Sequence, residues 1–239
     1  MSLAGNLSET YHEHLQRVRT FPDAATATRF FRRNFLPLLA DLPEGRILEI
    51  GCGIGEFLRF AVEVMKWDAV GVDLSAEHAA ACREQGFDAV QGDAVEYLRG
   101  SGPLAAVVMN DVLEHIPCEQ VLPLLSLIHE RLVPAGRLVV KVPNMSNPIT
   151  GGRGRFVDFT HVSGFTEESL QQVLENVGFA GVLTAPVDLY VTSNPVLNAL
   201  ARAACAAQHA SWRLAYRLNG VPRVRVLTKG LIACGVKAR

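Results

Sequence analysis

The chain has 239 residues, 49% of them apolar and 20% charged, with a formal net charge of −1. That length suits one sizeable α/β domain with appendages rather than two full domains, and the balance is that of an ordinary globular enzyme. Five scattered cysteines without a C-x-x-C pair exclude a disulfide framework or a cysteine zinc site, and suit a reducing cytoplasm.

No basic patch followed by an apolar run opens the sequence, so no signal peptide is expected. No uncharged apolar stretch reaches the roughly 18 residues that a membrane span needs. Charge is unevenly spread. The segment after Asp188 holds eight basic residues and no acidic one, which leaves −9 on the first 188 positions. A basic tail on an acidic body points to an anionic partner or membrane surface, or simply to solvated helix faces.

In chain order, residues 1–42 read as a helical cap, with Phe30, Phe31, Phe35, Leu38 and Leu39 at helical spacing. Pro43-Glu-Gly45 ends it. Short Val- and Ile-rich runs then occur at 46–51, 69–74, 87–92, 104–110 and 137–142, separated by helical patterns at 56–66, 75–85, 94–100 and 118–133. Alternation of this kind specifies an α/β fold, a Rossmann-like, mostly parallel sheet with helices on both faces. Leu132-Val-Pro-Ala-Gly136 reads as a helix stop. The stretch 143–165, with Gly151, Gly152, Gly154, Arg153 and Arg155, reads as a mobile active-site loop over the sheet's carboxyl edge. Thr166 is a good N-cap. A strand follows at 180–187, then a basic helical insertion within 193–226, and a last strand within 227–239 at Gly230–Val236. The core therefore spans 43–192 plus that last strand.

The glycines of Glu49-Ile-Gly-Cys-Gly-Ile-Gly55 stand where the first strand turns into the first helix. A dinucleotide fingerprint, G-x-G-x-x-G, counted from Gly51 requires a glycine at 56, where Glu56 stands. An acidic side chain at a helix N-terminus repels a pyrophosphate. It suits S-adenosylmethionine (SAM), which has no phosphate and carries an ammonium and a sulfonium. Glu49 fits the same logic. Asp73 ends the second strand, where a carboxylate accepts both ribose hydroxyls, and Asp93 ends the third, within reach of an adenine amino group. On the residues alone the expected cofactor set is Glu49, Gly51, Cys52, Gly53, Gly55, Asp73 and Asp93, with S-adenosylhomocysteine as product.

These motifs resemble those of class I SAM-dependent methyltransferases continuously over about 45–145. The resemblance implies a seven-stranded sheet whose last strand is antiparallel, and it extends the expected cofactor set to Phe57, Leu74, Ala94, Asn110 and Asp111. Ala135 stands where that superfamily often has a second glycine, a departure of little expected consequence.

A sulfonium methyl is already activated, so the enzyme must mainly align a nucleophile, with a general base for a hydroxyl acceptor. Asp111, Glu114 and His115 fall at i, i+3 and i+4, one face of a helical turn, and resemble a segment shared by many small-molecule and quinone methyltransferases. His115 is expected against the cofactor's end of the site. A divalent metal on this trio is the lesser alternative, because such groups also satisfy one another by hydrogen bonds, and no metal is assigned. Asp158-Phe-Thr-His161, with the glycine loop, resembles a bacterial subgroup that methylates sugars during glycan assembly. His161 is the expected base, oriented by Asp158; the alternative is a histidine that only pins the loop. Arg153 and Arg155 suit an anionic group on the acceptor or are ordinary solvated charges.

On a helix over 195–218, Arg202, His209, Arg213 and Arg217 share one side, while Val196, Leu200, Ala203, Ala207, Leu214 and Leu218 lie opposite. Packing of that apolar side on the protein's own domain is the default expectation. The alternative is an interfacial helix on an anionic membrane, which would place the chain peripherally at the inner face. Three functions remain: O-methylation of a sugar or lipid-linked glycan, O-methylation of an aromatic or quinone-like small molecule with metal assistance, and SAM-dependent regulation without turnover. Nucleic acid is not expected, since no Asn-Pro-Pro-Tyr segment follows the fourth strand.

Overall fold

The computed structural model describes residues 21–154, 156, 158–188, 194–221 and 223–238. The first twenty positions of the expected cap and Arg155 lie outside the described residues.

Seven strands form one sheet: β1 (Arg46–Ile50), β2 (Ala69–Asp73), β3 (Asp88–Gln91), β4 (Leu104–Asn110), β5 (Leu132–Pro143), β6 (Ala180–Pro186) and β7 (Gly230–Val236). Their order is β3-β2-β1-β4-β5-β7-β6. The first five are parallel, and β7 runs antiparallel to both β5 and β6. The architecture is the Rossmann-like one expected, with the last strand reversed.

Strand residues alternate between two cores because successive side chains point to opposite faces. Ile47, Ala106, Val108, Val139 and Ile232 face one layer, whereas Leu48, Val107, Met109, Val140 and Ala233 face the other. The first layer is capped by α1 (Ala24–Asn34) and α2 (Glu56–Arg59, continued by a π turn, Phe60–Val64). Phe30, Phe31, Phe35, Phe57 and Phe60 interlock there with ring centroids 5.3 to 6.1 Å apart. Each fully buried ring contributes roughly 1.5–3 kcal/mol of transfer free energy. Against the other layer pack α4 (Ala94–Gly100), α5 (Cys118–Arg131) and α6 (Glu167–Asn176), by way of Leu98, Leu125 and Leu170. Helix α3 (Ala76–Glu84) joins β2 to β3.

Two expectations about local structure are corrected. Leu132–Gly136 is not a stop outside the sheet; β5 begins at Leu132, directly after α5, with a register shift against β4. Within it Ala135 has φ +65°. A glycine there is free of the Cβ clash that alanine carries, so the alanine does have a consequence. Secondly, 144–150 is tied down rather than loosely draped. Asn144 donates to the carbonyls of Val226 and Thr228, and Asn147 to that of Leu227. Buried Glu167 accepts from the backbone N–H groups of Arg225 and Val226, which fixes the same segment from the side of α6.

Helix α7 (Pro195–Leu218) occupies the predicted residues but shows the opposite face to the one expected. Its half-buried stripe is Asn198, Ala201, Cys205, His209, Trp212 and Tyr216, while Val196, Leu200, Leu214 and Leu218 are exposed. The Tyr216 hydroxyl donates to the Ser146 carbonyl, and Arg213 to that of Arg225. Polar contacts thus turn the aromatic edge inward and leave the aliphatic side outward. No helix among the described residues is long and apolar enough to cross a membrane.

Candidate active site

The glycine loop follows β1 at the carboxyl edge of the sheet. Gly51, Gly53 and Gly55 have φ of +70°, +51° and +83°, which explains why glycine recurs on alternate positions. A Cβ on Gly51 meets Val112 at 2.5 Å, and one on Gly71 of β2 meets Cys52 at 2.6 Å, so the loop is clamped between β2 and the segment after β4. Asp73 anchors it. Its Oδ2 accepts from the Gly53 N–H at 2.8 Å, while Oδ1 accepts from the Ser75 N–H at 2.9 Å and faces His78 Nδ1 at 3.3 Å. Burial works against the Asp73 carboxylate, but these bonds outweigh it and hold it below the ordinary carboxylate range. The bond to Asp73 likewise raises His78.

Asp93 caps α4, its Oδ1 accepting from Val95 and Glu96. Ala94 opens that helix, and Leu74 is 74% exposed at the end of β2. Glu49 is buried, its Oε2 has no partner among the described residues, and burial drives its carboxyl well upward. Asn110 Oδ1 at the end of β4 is likewise buried without a partner. One orphaned carboxyl oxygen and an orphaned carbonyl oxygen beside a glycine turn fit a cationic amino-acid end, the part of SAM that a pyrophosphate site lacks. Two predicted cofactor residues serve otherwise through their side chains. Phe57 turns its ring into the aromatic core, and the Cys52 thiol points to Cys82 Sγ, 3.9 Å away. Phe57 is buried against Phe31 and Phe35, and Cys52 against Cys82 and Gly71, so both side chains turn away from the loop's open side.

Beyond β4 the predicted helical face of Asp111, Glu114 and His115 does not form. Asp111 takes φ +56°, which breaks the turn, and its carboxylate pairs with buried Lys141 of β5. The short turn Leu113–His115 sinks Leu113 into the core and sets Glu114 and His115 against the 158–163 segment. Backbone N–H groups of Val162 and Ser163 both donate to the Glu114 carbonyl at 2.9 Å, which brings His161 in. The His115 and His161 rings lie edge to face, with centroids 4.7 Å apart, and His161 Nε2 is 4.0 Å from Glu114 Oε1. Burial, and after it the neighbouring His161, holds His115 below its ordinary value.

Asp158 does not orient His161 through its side chain. Its Oδ1 accepts from the Thr160 N–H and hydroxyl, and Thr160 Oγ1 lies 2.8 Å from His115 Nδ1. The Gly154 carbonyl, 3.0 Å from His161 Nδ1, orients that ring instead. Sequence reasoning missed Lys141, Thr160 and the central position of Glu114. Only the apolar context of Lys141 within a strand hinted at burial. It also passed over Phe156 and Phe159, which stand 81% and 88% exposed on the same loop. Arg153 is exposed nearby in sequence.

A family described as a methyltransferase domain matches residues 23–184. The chain belongs to that family. Its cofactor is S-adenosylmethionine, and the signs of the charges around the glycine loop agree. The carboxy-S-adenosyl-L-methionine synthase of Trichodesmium erythraeum (strain IMS101) is 28% identical over 152 residues, 56% of this methyltransferase and 59% of the relative. The match thus spans less than two thirds of that relative's length. Among solved structures, a SAM-dependent methyltransferase from Archaeoglobus fulgidus superposes with a TM-score of 0.66 at 23% identity, over 90% of this chain and 95% of the other. Phosphoethanolamine N-methyltransferase 2 of Haemonchus contortus, in complex with SAM, gives 0.62 at 18% identity over 90% and 53%. At these identities the structures speak for the shared fold.

Proposed function

We propose that this methyltransferase transfers its methyl group to a hydroxyl of a sugar or glycan-type acceptor, with His161 as general base. The observation that carries the reading is the pairing of His161 with His115 beside buried Glu114, on the loops that follow β4 and β5. Glu49, Asn110, Asp73 and Asp93 would hold the two ends of SAM, which supplies an electrophilic methyl. An alcohol keeps its proton until transfer, so it needs a base in line, whereas an amine carries its own lone pair. The His161 Nδ1–H is used on the Gly154 carbonyl, which makes Nε2 the basic atom. Exposed Phe156 and Phe159 offer flat apolar surfaces that suit the C–H face of a sugar ring, and Arg153 suits an attached phosphate.

The outward aliphatic side of α7 and the surplus of basic residues after Asp188 extend the reading to a lipid-linked acceptor at an anionic membrane surface. Labelled SAM offered with nucleotide sugars, lipid-linked glycans, phenols and amines tests the acceptor; methyl ethers of sugars are expected. His161→Ala should lower kcat by about 10²–10⁴-fold and leave SAM affinity intact. Transfer to amines alone, or unchanged turnover in the variant, overturns the reading. Vesicles containing phosphatidylglycerol should float the protein, and Leu200→Glu with Leu214→Glu should release it.

A further inference from the structure

We propose that Glu114, His115 and His161 form a binding site for a divalent transition-metal ion. One donor atom of each lies within 4.8 Å of the others, a set of two imidazoles and one carboxylate. Asp111, the ligand that sequence spacing offered, is not in it, because Lys141 holds that carboxylate.

The cluster alone would be unremarkable chemistry; the state of Glu114 is what asks for a cation. Its side chain is 1% exposed, and both of its oxygens lack a hydrogen-bond partner among the described residues. The charged form of a carboxyl buried in that way is disfavoured unless a positive charge meets it, and burial, with Asp111 after it, accordingly pushes Glu114 well above the ordinary carboxylate range. Lys141 is already paired with Asp111, and His161 is no closer than 4.0 Å. An ion between the three donors removes that cost.

Both rings are, moreover, held as metal-bound histidines are. A ligating imidazole commonly donates its other N–H to a carboxylate or a carbonyl, which sets the tautomer and the ring plane. The Thr160 hydroxyl spends its proton on Asp158, so His115 Nδ1 is the donor at 2.8 Å and Nε2 the basic nitrogen. His161 Nδ1 donates to the Gly154 carbonyl, and its Nε2 faces Glu114. The two rings reach the same tautomer by separate partners.

Metal–nitrogen bonds of about 2.1 Å place neighbouring ligand atoms roughly 3.0–3.5 Å apart. The donors therefore close by about 1 Å, within the reach of small side-chain rotations. Two imidazoles and one carboxylate select Zn²⁺, Fe²⁺ or Co²⁺ over Mg²⁺ or Ca²⁺, which prefer oxygen ligands. Three protein ligands also leave a coordination position open.

One consequence rests on the proposed base: the His161 Nε2 lone pair serves either the ion or the acceptor's proton. The full-length protein, stripped with a chelator, is titrated with Co²⁺ and followed by its visible ligand-field absorption, and with Zn²⁺ by calorimetry. One ion per chain is expected. His161→Ala and Glu114→Gln should each weaken binding at least about tenfold, and Thr160→Val, which leaves every ligand in place, by about 10-fold or more through the freed His115 ring. Unchanged SAM affinity and melting temperature certify that each variant is folded. No ligand-field bands, or equal Co²⁺ affinity in wild type and all three variants, overturns the site. The activity arm separates the two proposals. Zn²⁺ that depresses turnover agrees with His161 as base, whereas turnover that requires the ion refutes the base and leaves the metal site standing.

Discussion

Replacing Asp73 by asparagine removes one charge and almost no volume, and three N–H donors make the outcome calculable. Gly53 N, Ser75 N and His78 Nδ1 converge on the carboxylate at 2.8, 2.9 and 3.3 Å. An amide has one acceptor oxygen, so its NH₂ must face at least one of those donors. If the oxygen stays with Ser75 and His78, the Gly53 N–H loses its partner and the glycine loop its anchor. Hydrogen bonds to a charged group are worth about 1.5–3 kcal/mol against about 0.5–1.5 for neutral ones, and a half-buried unpaired donor costs about 1–3. A loss of roughly 2–4 kcal/mol follows, or about 4–16 °C in Tm for a chain of this size. The same carboxylate is the candidate ribose acceptor, so SAM affinity should fall by about 10–100-fold, at about 1.4 kcal/mol per decade. Thermal melts and calorimetric titration with SAM read the two effects separately. A SAM affinity within about twofold of wild type would sink the assignment of Asp73 to the cofactor, and an unchanged melt would sink the anchoring of the loop.

Ala135→Gly should raise stability by about 0.5–1 kcal/mol, because relief of a left-handed alanine exceeds the entropy that glycine adds to the unfolded chain. The adjacent Gly136→Ala should do the reverse, its Cβ meeting the Val133 carbonyl oxygen at 2.8 Å; chemical denaturation of both variants checks the pair. Stability should also show a two-sided pH dependence traceable to Asp73 and His78. His78 is raised above its ordinary 6.5, so its contribution is whole below that pH and fades as pH climbs through the raised value. Asp73 is lowered below 3.8, so its contribution is whole above that pH and fades as pH falls through the lowered value. The pair therefore stabilises most between about pH 4 and 6.5, and His78→Gln should flatten the alkaline side of the melt-versus-pH curve.

Much of the cofactor side was legible because its signals are local. A glycine needs a left-handed turn wherever it sits, and an acidic residue at a strand end lands on the carboxyl edge once the strand is parallel. Asp73 and Asp93 follow from short-range pattern, whereas the reversal of Gly230–Val236 was implied only by the family resemblance, since strand direction depends on pairing with the distant β5. Phe57 shows the limit of that logic: its place in the motif was plain, but the direction of its ring depended on Phe31 of α1 and on Phe35, which caps that helix.

The acceptor side was decided in three dimensions. Helical spacing grouped Asp111 with Glu114 and His115, yet one positive φ at Asp111 and the ammonium of Lys141 dissolved that group. The pattern of α7 located an amphipathic helix and could not say which side meets the protein, since Tyr216 and Arg213 find their carbonyl partners only after folding. Sequence by itself determined the alternation of strands and helices, the glycine loop and the sign of the ligand, because each of these signals is carried within a few residues. Only the tertiary structure brought His161 to His115 over buried Glu114, because the backbone of Val162 and Ser163 had first to dock on the Glu114 carbonyl.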